Sequence, residues 1–300
     1  MTTPPTPPTP QAPYQQQAYQ QPSAPQQHGQ GTQAGYYTSP IPVRPATLGD
    51  AVASEWTKIR SVRSTMWTLG VMIVLVFGIG VLSAIAVSFS DSDSDMGATP
   101  VLSLGFFGVL LGSICVITLG VMTIASEYGT GMIRTTLTAC PSRARVLSAK
   151  AIVFFLLTFV LTTVMTTIVA LIQTAMLDAP APSGKEWLSA TVGVGLYMAT
   201  LGLLSLAVGA LIRHSAGAIT LMIGLVLLPL VLAIFMFASS LASLQEWLLT
   251  YSIPNQLSVF YDTSVSSSAE LSGWEPLWLM LIVTAMALGG AYLSMNKRDV

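Results

Sequence analysis

The stretch that decides the fold is Ser126 to Lys150, SEYGTGMIRTTLTACPSRARVLSAK, a polar segment between two long apolar runs. It carries Arg134, Arg143, Arg145 and Lys150, whereas the run on either side contains no charged residue. Charged side chains are costly inside a bilayer, so basic residues mark the ends of membrane spans. The stretch therefore predicts a loop at a membrane surface, with a lipid-embedded helix on each side.

The composition of the whole chain indicates an integral membrane protein. Of its 300 residues, 52% are hydrophobic and 8% are charged, and the mean hydropathy is +0.68. Soluble globular domains carry about 25% charged residues, so this chain lies outside their range. Its net charge of -1 gives no reason to expect binding to nucleic acid, and the expected environment is the lipid bilayer.

The first 45 residues predict a disordered cytoplasmic tail. Residues 1–45 are rich in Pro and Gln and hold one charged residue, Arg44. Such a segment has too little apolar surface to offset the entropy lost on folding. We interpret the tail as a spacer, and the alternative is that its tyrosines make contacts with other molecules.

Residues 46–66 predict an amphipathic helix that lies in the membrane interface. Thr47 can cap this helix, and apolar residues then recur every three or four positions. These residues are Leu48, Val52, Trp56, Ile59, Val62 and Met66. Glu55 falls within the apolar stripe, where a carboxylate needs a cation or a polar partner. Its partner is either Lys58 or the headgroups nearby, or else another segment or subunit.

Six runs without a charged residue follow, each 19 to 29 residues long. They are 67–89, 101–125, 151–177, 188–212, 216–244 and 277–295. About 20 helical residues cross the hydrocarbon core, so each run can span the membrane, and Pro229 predicts a kink in the fifth. The predicted fold class is an all-α polytopic membrane protein with six transmembrane helices, preceded by the interfacial helix and the tail.

The distribution of charge predicts the orientation. With the amino terminus in the cytoplasm, eleven of the twelve basic residues lie on the cytoplasmic side, and Lys185 is the exception. Nine of the thirteen acidic residues then lie outside. We therefore expect both termini and the 126–150 loop to be cytoplasmic. The external segment 245–274 is rich in Trp and Tyr, which predicts short interfacial or re-entrant helices or an aromatic belt.

The sequence offers little support for catalysis or cofactor binding. Gly184-Lys185 does not complete a phosphate-binding loop, since Ala179 stands where that motif requires Gly. The two histidines, His28 and His214, do not suggest a metal site or a hydrolytic site. We therefore predict that the chain is not an enzyme and binds no cofactor of its own.

Polar side chains without charge are concentrated in the third run. The apolar runs hold no ionisable acid or base, which disfavours an ion-coupled carrier. The third run instead contains Thr158, Thr162, Thr166 and Gln173. Hydroxyl groups in a span commonly bond to their own helix or to a neighbour. These residues therefore predict helix packing or, alternatively, the lining of a translocation path.

Two blocks of sequence resemble the permease subunits of the type-2 ATP-binding-cassette (ABC) exporter family, and most of all its actinobacterial branch. The first block is residues 54–65, SEWTKIRSVRST. The second is residues 127–137, EYGTGMIRTTL, followed by Pro141, Arg143, Val146, Leu147 and Lys150. The resemblance extends from about Leu48 to the carboxyl terminus and leaves out the tail.

The resemblance implies a permease of the bacterial cytoplasmic membrane that forms a dimer with a second copy or a paralogue. In that family a separate cytosolic ABC ATPase binds ATP and Mg²⁺ and docks on the interfacial helix and on a coupling helix in the loop. The residues expected to carry this coupling are Glu55, Glu127, Gly131, Met132, Ile133, Arg134 and Leu137. The other basic residues of the loop contact the partner, or they set the topology and bind anionic lipid.

The residues of the loop suit a coupling helix on physical grounds as well. Gly131 can start a short helix that Pro141 must end, because proline cannot continue the hydrogen-bond ladder. Met132, Ile133 and Leu137 then offer an apolar edge, and Arg134 a charged anchor. The alternative function is a non-transporting membrane scaffold or sensor that recruits a cytosolic partner. The sequence does not indicate the substrate.

Overall fold

A computed structural model describes residues 46–89, 100–177, 180–236, 241–263 and 271–297. Of these residues 89% are helical and none lies in a β-strand, which confirms the predicted fold class. The predicted disordered tail, residues 1–45, lies outside the described ranges.

Helices of very different length make up the first half of the described chain. They are α1 (Leu48–Ser61), α2 (Arg63–Ser88), α3 (Phe106–Thr130, preceded by a 3-10 turn at Val101–Gly105), α4 (Met132–Ala139) and α5 (Arg143–Met176). The second half contains α6 (Gly184–Leu188), a π-helical turn (Ser189–Gly193), α7 (Val194–Ile212), α8 (Ser215–Phe235), α9 (Ala242–Thr250), α10 (Ile253–Ser258, followed by a 3-10 turn at Val259–Tyr261) and α11 (Glu275–Lys297).

Within the described ranges, six helical segments are long and apolar enough to cross a membrane, as the sequence predicts. They are Arg63–Ser88, Val101–Thr130, Arg143–Met176, Gly184–Ile212, Ser215–Phe235 and Glu275–Lys297. In the most apolar window of the second and fourth segments, 67% and 72% of the residues are buried, compared with 22–33% in the other four. The second and fourth segments, which contain α3 and α7, therefore form the centre of the bundle.

Glycine allows α3 and α7 to approach closely. A Cβ added at Gly120 of α3 would lie 2.5 Å from the carbonyl oxygen of Gly202 in α7, and one at Gly209 would lie 3.0 Å from the carbonyl oxygen of Val121. Both distances are shorter than an ordinary contact, so a side chain at either position would force the helices apart. Small residues serve this purpose in membrane helices, where backbone contact provides much of the packing.

The interfacial helix is shorter than predicted. The residue after α1, Val62, is extended (φ -83°, ψ 112°), so the helix ends at Ser61 and residues 63–66 belong to the first span. Thr47 caps α1 in a capping box with Asp50, as the sequence indicates.

The spans around the 126–150 loop extend further than the apolar runs. The helix α3 continues to Thr130, and α5 begins at Arg143, so most of the predicted loop is helical. Glu127 and Lys150 consequently lie on the spanning helices themselves. The apolar runs themselves hold no charge, as predicted, but the helices continue past them and carry these two charged residues.

The fifth apolar run, 216–244, does not form one helix. The helix α8 runs through Pro229 and ends at Phe235, and a separate helix, α9, begins at Ala242. The segment that follows forms short helices, as predicted for 245–274, over its described part. All six residues of α10 are buried, and the Tyr197 hydroxyl of α7 donates a hydrogen bond to Oε1 of Gln256 at 3.3 Å.

The two ends of the bundle differ in charge. One end holds α1, the start of α2, the last turn of α3, α4, the first turns of α5, the junction of α7 with α8 and the last turn of α11, and we call it the basic end. Every basic residue of the described ranges except Lys185 lies there. The opposite end holds α6, α9 and α10, together with Glu186, Glu246, Asp262 and Glu275.

Candidate functional site

Four charged side chains from three helices meet at the basic end. Glu55 and Lys58 come from α1, Glu127 from α3 and Lys150 from α5. Nζ of Lys58 lies 2.7 Å from Oε1 of Glu55 and 2.8 Å from Oε1 of Glu127. Nζ of Lys150 lies 2.9 Å from Oε2 of Glu55 and 2.7 Å from Oε1 of Glu127. We call these four residues the ion-pair cluster, in which two acids balance two bases.

Three of the four side chains in the ion-pair cluster are buried. The exposed fraction of the side chain is 0% for Lys150, 6% for Glu55 and 7% for Glu127, against 32% for Lys58. Lys150 also donates to the carbonyl oxygen of Thr123 at 3.3 Å. Since a buried charge is tolerated only with a close partner, each of the three buried members depends on its oppositely charged partners.

Helical periodicity explains why Glu55 points into the protein. Ala51, Glu55 and Ile59 follow one another at intervals of four and are the buried residues of α1. Trp56, which belongs to the predicted apolar stripe, is 44% exposed. The helix α1 therefore packs on the bundle through a face centred on Glu55, and part of the apolar stripe faces outward. Glu55 therefore has both kinds of partner that the sequence left open. One is Lys58 of the same helix, and the other is Lys150 of a different segment, α5.

The same reasoning applies to Lys150. The buried residues at the start of α5 are Val146, Leu147, Lys150, Val153 and Phe154, which recur at intervals of three and four. Lys150 thus occupies a core position of the helix rather than a flank of the span. Sequence reasoning missed Lys58 and Lys150 as site residues. The signal that could have found Lys150 was a lysine in the middle of this apolar stripe.

Lys58 keeps its positive charge near neutral pH. Burial lowers the pKa of Lys58, but its hydrogen bonds to Glu127 and Glu55 raise the pKa by more, so it lies above the ordinary value of 10.5. Stability gained from this raised pKa is fully present below pH 10.5 and is lost as the pH rises beyond the folded-state pKa. Lys58 therefore contributes no pH dependence in the physiological range.

Gly131 provides the turn that separates α4 from α3. Its φ is +73°, in the left-handed region that favours glycine. Gly131 is the C-cap of α3 and also the N-cap of α4. A Cβ at this position would meet no atom within 4 Å, so the backbone conformation rather than crowding requires glycine. The helix α4 ends at Ala139, two residues before Pro141, as the sequence predicts.

The side chains of α4 divide into an anchored face and an open face. Ile133 is 2% exposed, so it anchors α4 to the protein rather than forming part of the predicted open edge. Met132 is 49% exposed, Arg134 is exposed and Leu137 is half-buried. Among the predicted coupling residues of α4, the side chains open to a partner are therefore Met132, Arg134 and part of Leu137.

Three further arginines of the basic end bind backbone carbonyl groups of the chain itself. Nη1 of Arg145 donates to the carbonyl oxygen of Ala46 at 2.7 Å, and Nη1 of Arg143 donates to that of Met295. Nη2 of Arg213 donates to the carbonyl oxygen of Ser294 at 3.4 Å. These contacts tie the start of α1 and the end of α11 to the rest of the basic end.

The polar residues of the third span lie inside the bundle of one chain. Thr158, Thr162, Thr166 and Gln173 are all buried. The Thr166 hydroxyl donates to the carbonyl oxygen of Thr162 at 2.9 Å, and Nε2 of Gln173 donates to that of Gly80 in α2 at 3.0 Å. These contacts fit the helix-packing alternative, and the lining of a path by these residues stays a prediction.

The fold and the site together define a polytopic helical membrane protein in which buried charges join three helices at one end. Residues 51–228 match the family model described as ABC-2 family transporter protein. This match spans more than half of the chain, so the chain belongs to the ABC-2 transporter family. It is thus a multi-pass membrane protein and an ABC-2 type permease. No curated protein matches the chain.

Proposed function

We propose that this chain is the permease subunit of an ABC exporter in a bacterial cytoplasmic membrane, of the actinobacterial branch that its sequence resembles. A separate cytosolic ATPase, which binds ATP and Mg²⁺, would drive it through α4, and this chain would have no catalytic group or cofactor of its own. Permeases of this family generally associate with an ABC ATPase and form dimers. The observation that carries the proposal is an exposed short helix placed directly between two spans that the ion-pair cluster joins.

The charge asymmetry supports a cytoplasmic location of the basic end. Basic residues that flank spans are retained on the cytoplasmic side. With the basic end in the cytoplasm, both termini are cytoplasmic and α4 is accessible to a cytosolic ATPase. The acidic residues of α6, α9 and the start of α11 then face outside.

The geometry of α4 suits a docking element. It is eight residues long, lies between α3 and α5, and is held to the protein by Ile133. Arg134 offers an exposed positive charge, and Met132 offers an exposed thioether. Arginine and methionine are both enriched at protein interfaces, arginine because its guanidinium binds carboxylates with two parallel hydrogen bonds.

The ion-pair cluster supports the transmission of movement. Glu127 lies four residues before Gly131, and Lys150 lies on the first turns of the helix after α4. Their pairing, together with the pairs to α1, joins the ends of α1, α3 and α5 on both sides of α4. A displacement of α4 would therefore move these three helix ends as one unit, which is the rigid-body movement that alternating access needs.

The translocation path would form in a dimer with a second copy or a paralogue. Thr158, Thr162, Thr166 and Gln173 are proposed to reach this path, and their burial within one chain requires that α5 moves relative to its neighbours during transport. The residues of the third span do not indicate a substrate.

Recovery of the ATPase with the permease tests the docking surface. We expect Arg134→Glu to lower the recovery of an ABC ATPase by about tenfold or more, because arginines at the centre of an interface commonly contribute about 2 kcal/mol or more. Gly131→Pro should have a similar effect, since proline is restricted to a φ of about -65°. The measurement is quantitative mass spectrometry of proteins that co-purify with the permease from cells of the native host.

Two matched variants serve as controls for the recovery experiment. Lys185→Glu reverses a charge at the opposite end, and Gly131→Asn keeps a residue that tolerates positive φ. Both should retain the ATPase. Unchanged recovery with Arg134→Glu and Gly131→Pro would rule out docking through α4. Recovery of another cytosolic protein without an ATPase would favour the scaffold or sensor.

A further inference from the structure

A second group of polar side chains lies at the basic end, where α3, α7 and α11 terminate. The guanidinium carbon of Arg213, the residue after α7, lies 4.9 Å from the centre of the Tyr128 ring of α3. Nη2 of Arg213 reaches the backbone of Ser294 on α11. We call Tyr128, Arg213 and Ser294 the arginine site. It shares no residue with the ion-pair cluster.

Each residue of the arginine site has a buried polar atom without a partner. The Tyr128 hydroxyl, Nε of Arg213 and the Ser294 hydroxyl are buried and form no hydrogen bond with the described residues. Buried polar groups nearly always have a hydrogen-bond partner. A polar group that loses its hydrogen bonds to water and gains no others raises the free energy of the folded state. All three groups can donate, and a guanidinium can only donate. Nε of Arg213 therefore lacks an acceptor among the described residues, and each of the two hydroxyl groups can donate to an acceptor as well.

The backbone at Arg213 gives an independent reason to look for a ligand. Its φ is +58°, in the left-handed region that glycine and asparagine adopt more readily than arginine. The backbone alone would thus favour a different residue at the end of α7. Such a strained backbone persists where interactions of the residue with its surroundings offset the strain, as at ligand-binding sites.

Two guanidinium groups and one carboxylate act at the arginine site. The guanidinium of Arg143 also acts on the Tyr128 hydroxyl, and so does the carboxylate of Glu127, whose Oε1 contacts two lysines and whose Oε2 is buried without a partner in the described part of the chain. The carboxyl ends of α7 and α11 carry only the partial negative charge of a helix terminus. Because these helix ends lie at the end of the membrane spans, an anion there would sit at the level of the lipid headgroups.

We propose that Tyr128, Arg213 and Ser294 bind a phosphate oxyanion at the basic end, supplied by a phospholipid headgroup or by free phosphate. Nη2 of Arg213 already donates to the Ser294 carbonyl, so Nε, which no described residue accepts from, is the unpartnered guanidinium donor for a phosphate oxygen, and the two hydroxyl groups supply further donors. A bound phosphate would link the ends of α3, α7 and α11. This proposal does not depend on the proposed function.

Thermal unfolding of the purified full chain in a phosphate-free neutral detergent tests the arginine site. Phosphatidylglycerol, diacylglycerol with the same acyl chains, and inorganic phosphate at matched ionic strength are titrated separately. We expect phosphatidylglycerol to raise the unfolding temperature and diacylglycerol to raise it much less. Stabilisation by inorganic phosphate as well would identify free phosphate as a sufficient ligand. Equal stabilisation by both lipids with none by phosphate, or no stabilisation at all, would overturn the proposal.

Substitutions show whether the effect arises at the arginine site. Arg213→Asn removes the guanidinium and suits the left-handed backbone, so the chain should fold while its apparent affinity for the stabilising ligand falls by about tenfold or more. Tyr128→Phe removes one donor and keeps the ring, and it should weaken binding to a smaller extent. Arg60→Gln removes an exposed charge of α1 and should leave the affinity unchanged. Equal losses in Arg213→Asn and Arg60→Gln, or unchanged binding in both Arg213→Asn and Tyr128→Phe, would contradict the assignment.

Discussion

Lys150→Met is expected to destabilise the folded chain by about 3–5 kcal/mol, the usual effect of removing one partner from a buried ion pair. Nζ of Lys150 contacts both Glu55 and Glu127 and is inaccessible to solvent. Methionine keeps a similar length of apolar side chain, so the change chiefly removes the charge. The two carboxylates would then share Lys58, which is partly exposed. Reversible unfolding in mixed detergent micelles measures the free energy of unfolding.

A second substitution separates the effect of charge from that of packing. Adding Glu127→Gln to Lys150→Met leaves Glu55 and Lys58 as a neutral pair. The double variant should therefore be more stable than Lys150→Met alone, although it carries one more substitution. Lys58→Met should cost less than Lys150→Met, because water reaches Lys58. If the effects of Lys150→Met and Glu127→Gln simply add, the account of the ion-pair cluster is wrong.

Glu127→Ala is expected to abolish the stimulation of the ATPase by the permease without lowering membrane insertion. The change removes the carboxylate that joins α3 to both lysines, while Glu55 still contacts Lys58 and Lys150. The end of α3 would lose its ion pairs to α1 and α5 and keep the hydrogen bond from Lys150 to the Thr123 carbonyl, so a movement of α4 would be transmitted to them poorly. The rate of ATP hydrolysis of the complex in proteoliposomes should fall to that of the ATPase alone.

Matched variants make the Glu127 experiment specific. Glu246→Ala removes an exposed carboxylate at the opposite end and should leave the stimulated rate unchanged. Glu127→Gln keeps the side-chain volume and one acceptor oxygen, so its rate should lie between those of wild type and Glu127→Ala. Full stimulation, or unchanged substrate efflux, by a correctly inserted Glu127→Ala variant would show that this carboxylate has no role in coupling.

The sequence predicts the spans and the short helix well because their signals are local. Runs without charge mark the six spans, since a charge in the hydrocarbon core is costly. Gly131 and Pro141 bound α4 because each restricts the backbone directly. Glu55 and Glu127 stand out for the same reason, as each is an acid where the local pattern favours an apolar residue.

The ion pairs themselves depend on how distant helices pack. Glu55, Glu127 and Lys150 lie on three different helices, and one sequence does not reveal which helix faces touch. Lys150 resembles a residue that sets topology, because it directly precedes an apolar run. Its place on the buried stripe of α5 becomes decisive only once α5 is known to begin at Arg143.

Two other features escape sequence reasoning for different reasons. The hydropathy of the sequence does not indicate that α8 ends at Phe235, because the residues from there to Leu244 are uncharged as well. The arginine site depends on the positive φ of Arg213 and on a contact with a ring 85 residues earlier in the chain. Neither the backbone conformation nor the contact has a distinctive pattern in the sequence.

The central claim, that an ABC ATPase binds α4 at the basic end, is tested most directly by site-specific photo-crosslinking in living cells. A photoreactive amino acid replaces Met132, which is exposed on α4, or Lys185, which is exposed on α6 at the opposite end. Mass spectrometry then identifies the crosslinked protein. We predict a crosslink to an ABC ATPase from position 132 and none from position 185. A crosslink from position 185, or none from position 132 in a permease that co-purifies with its ATPase, would contradict the account.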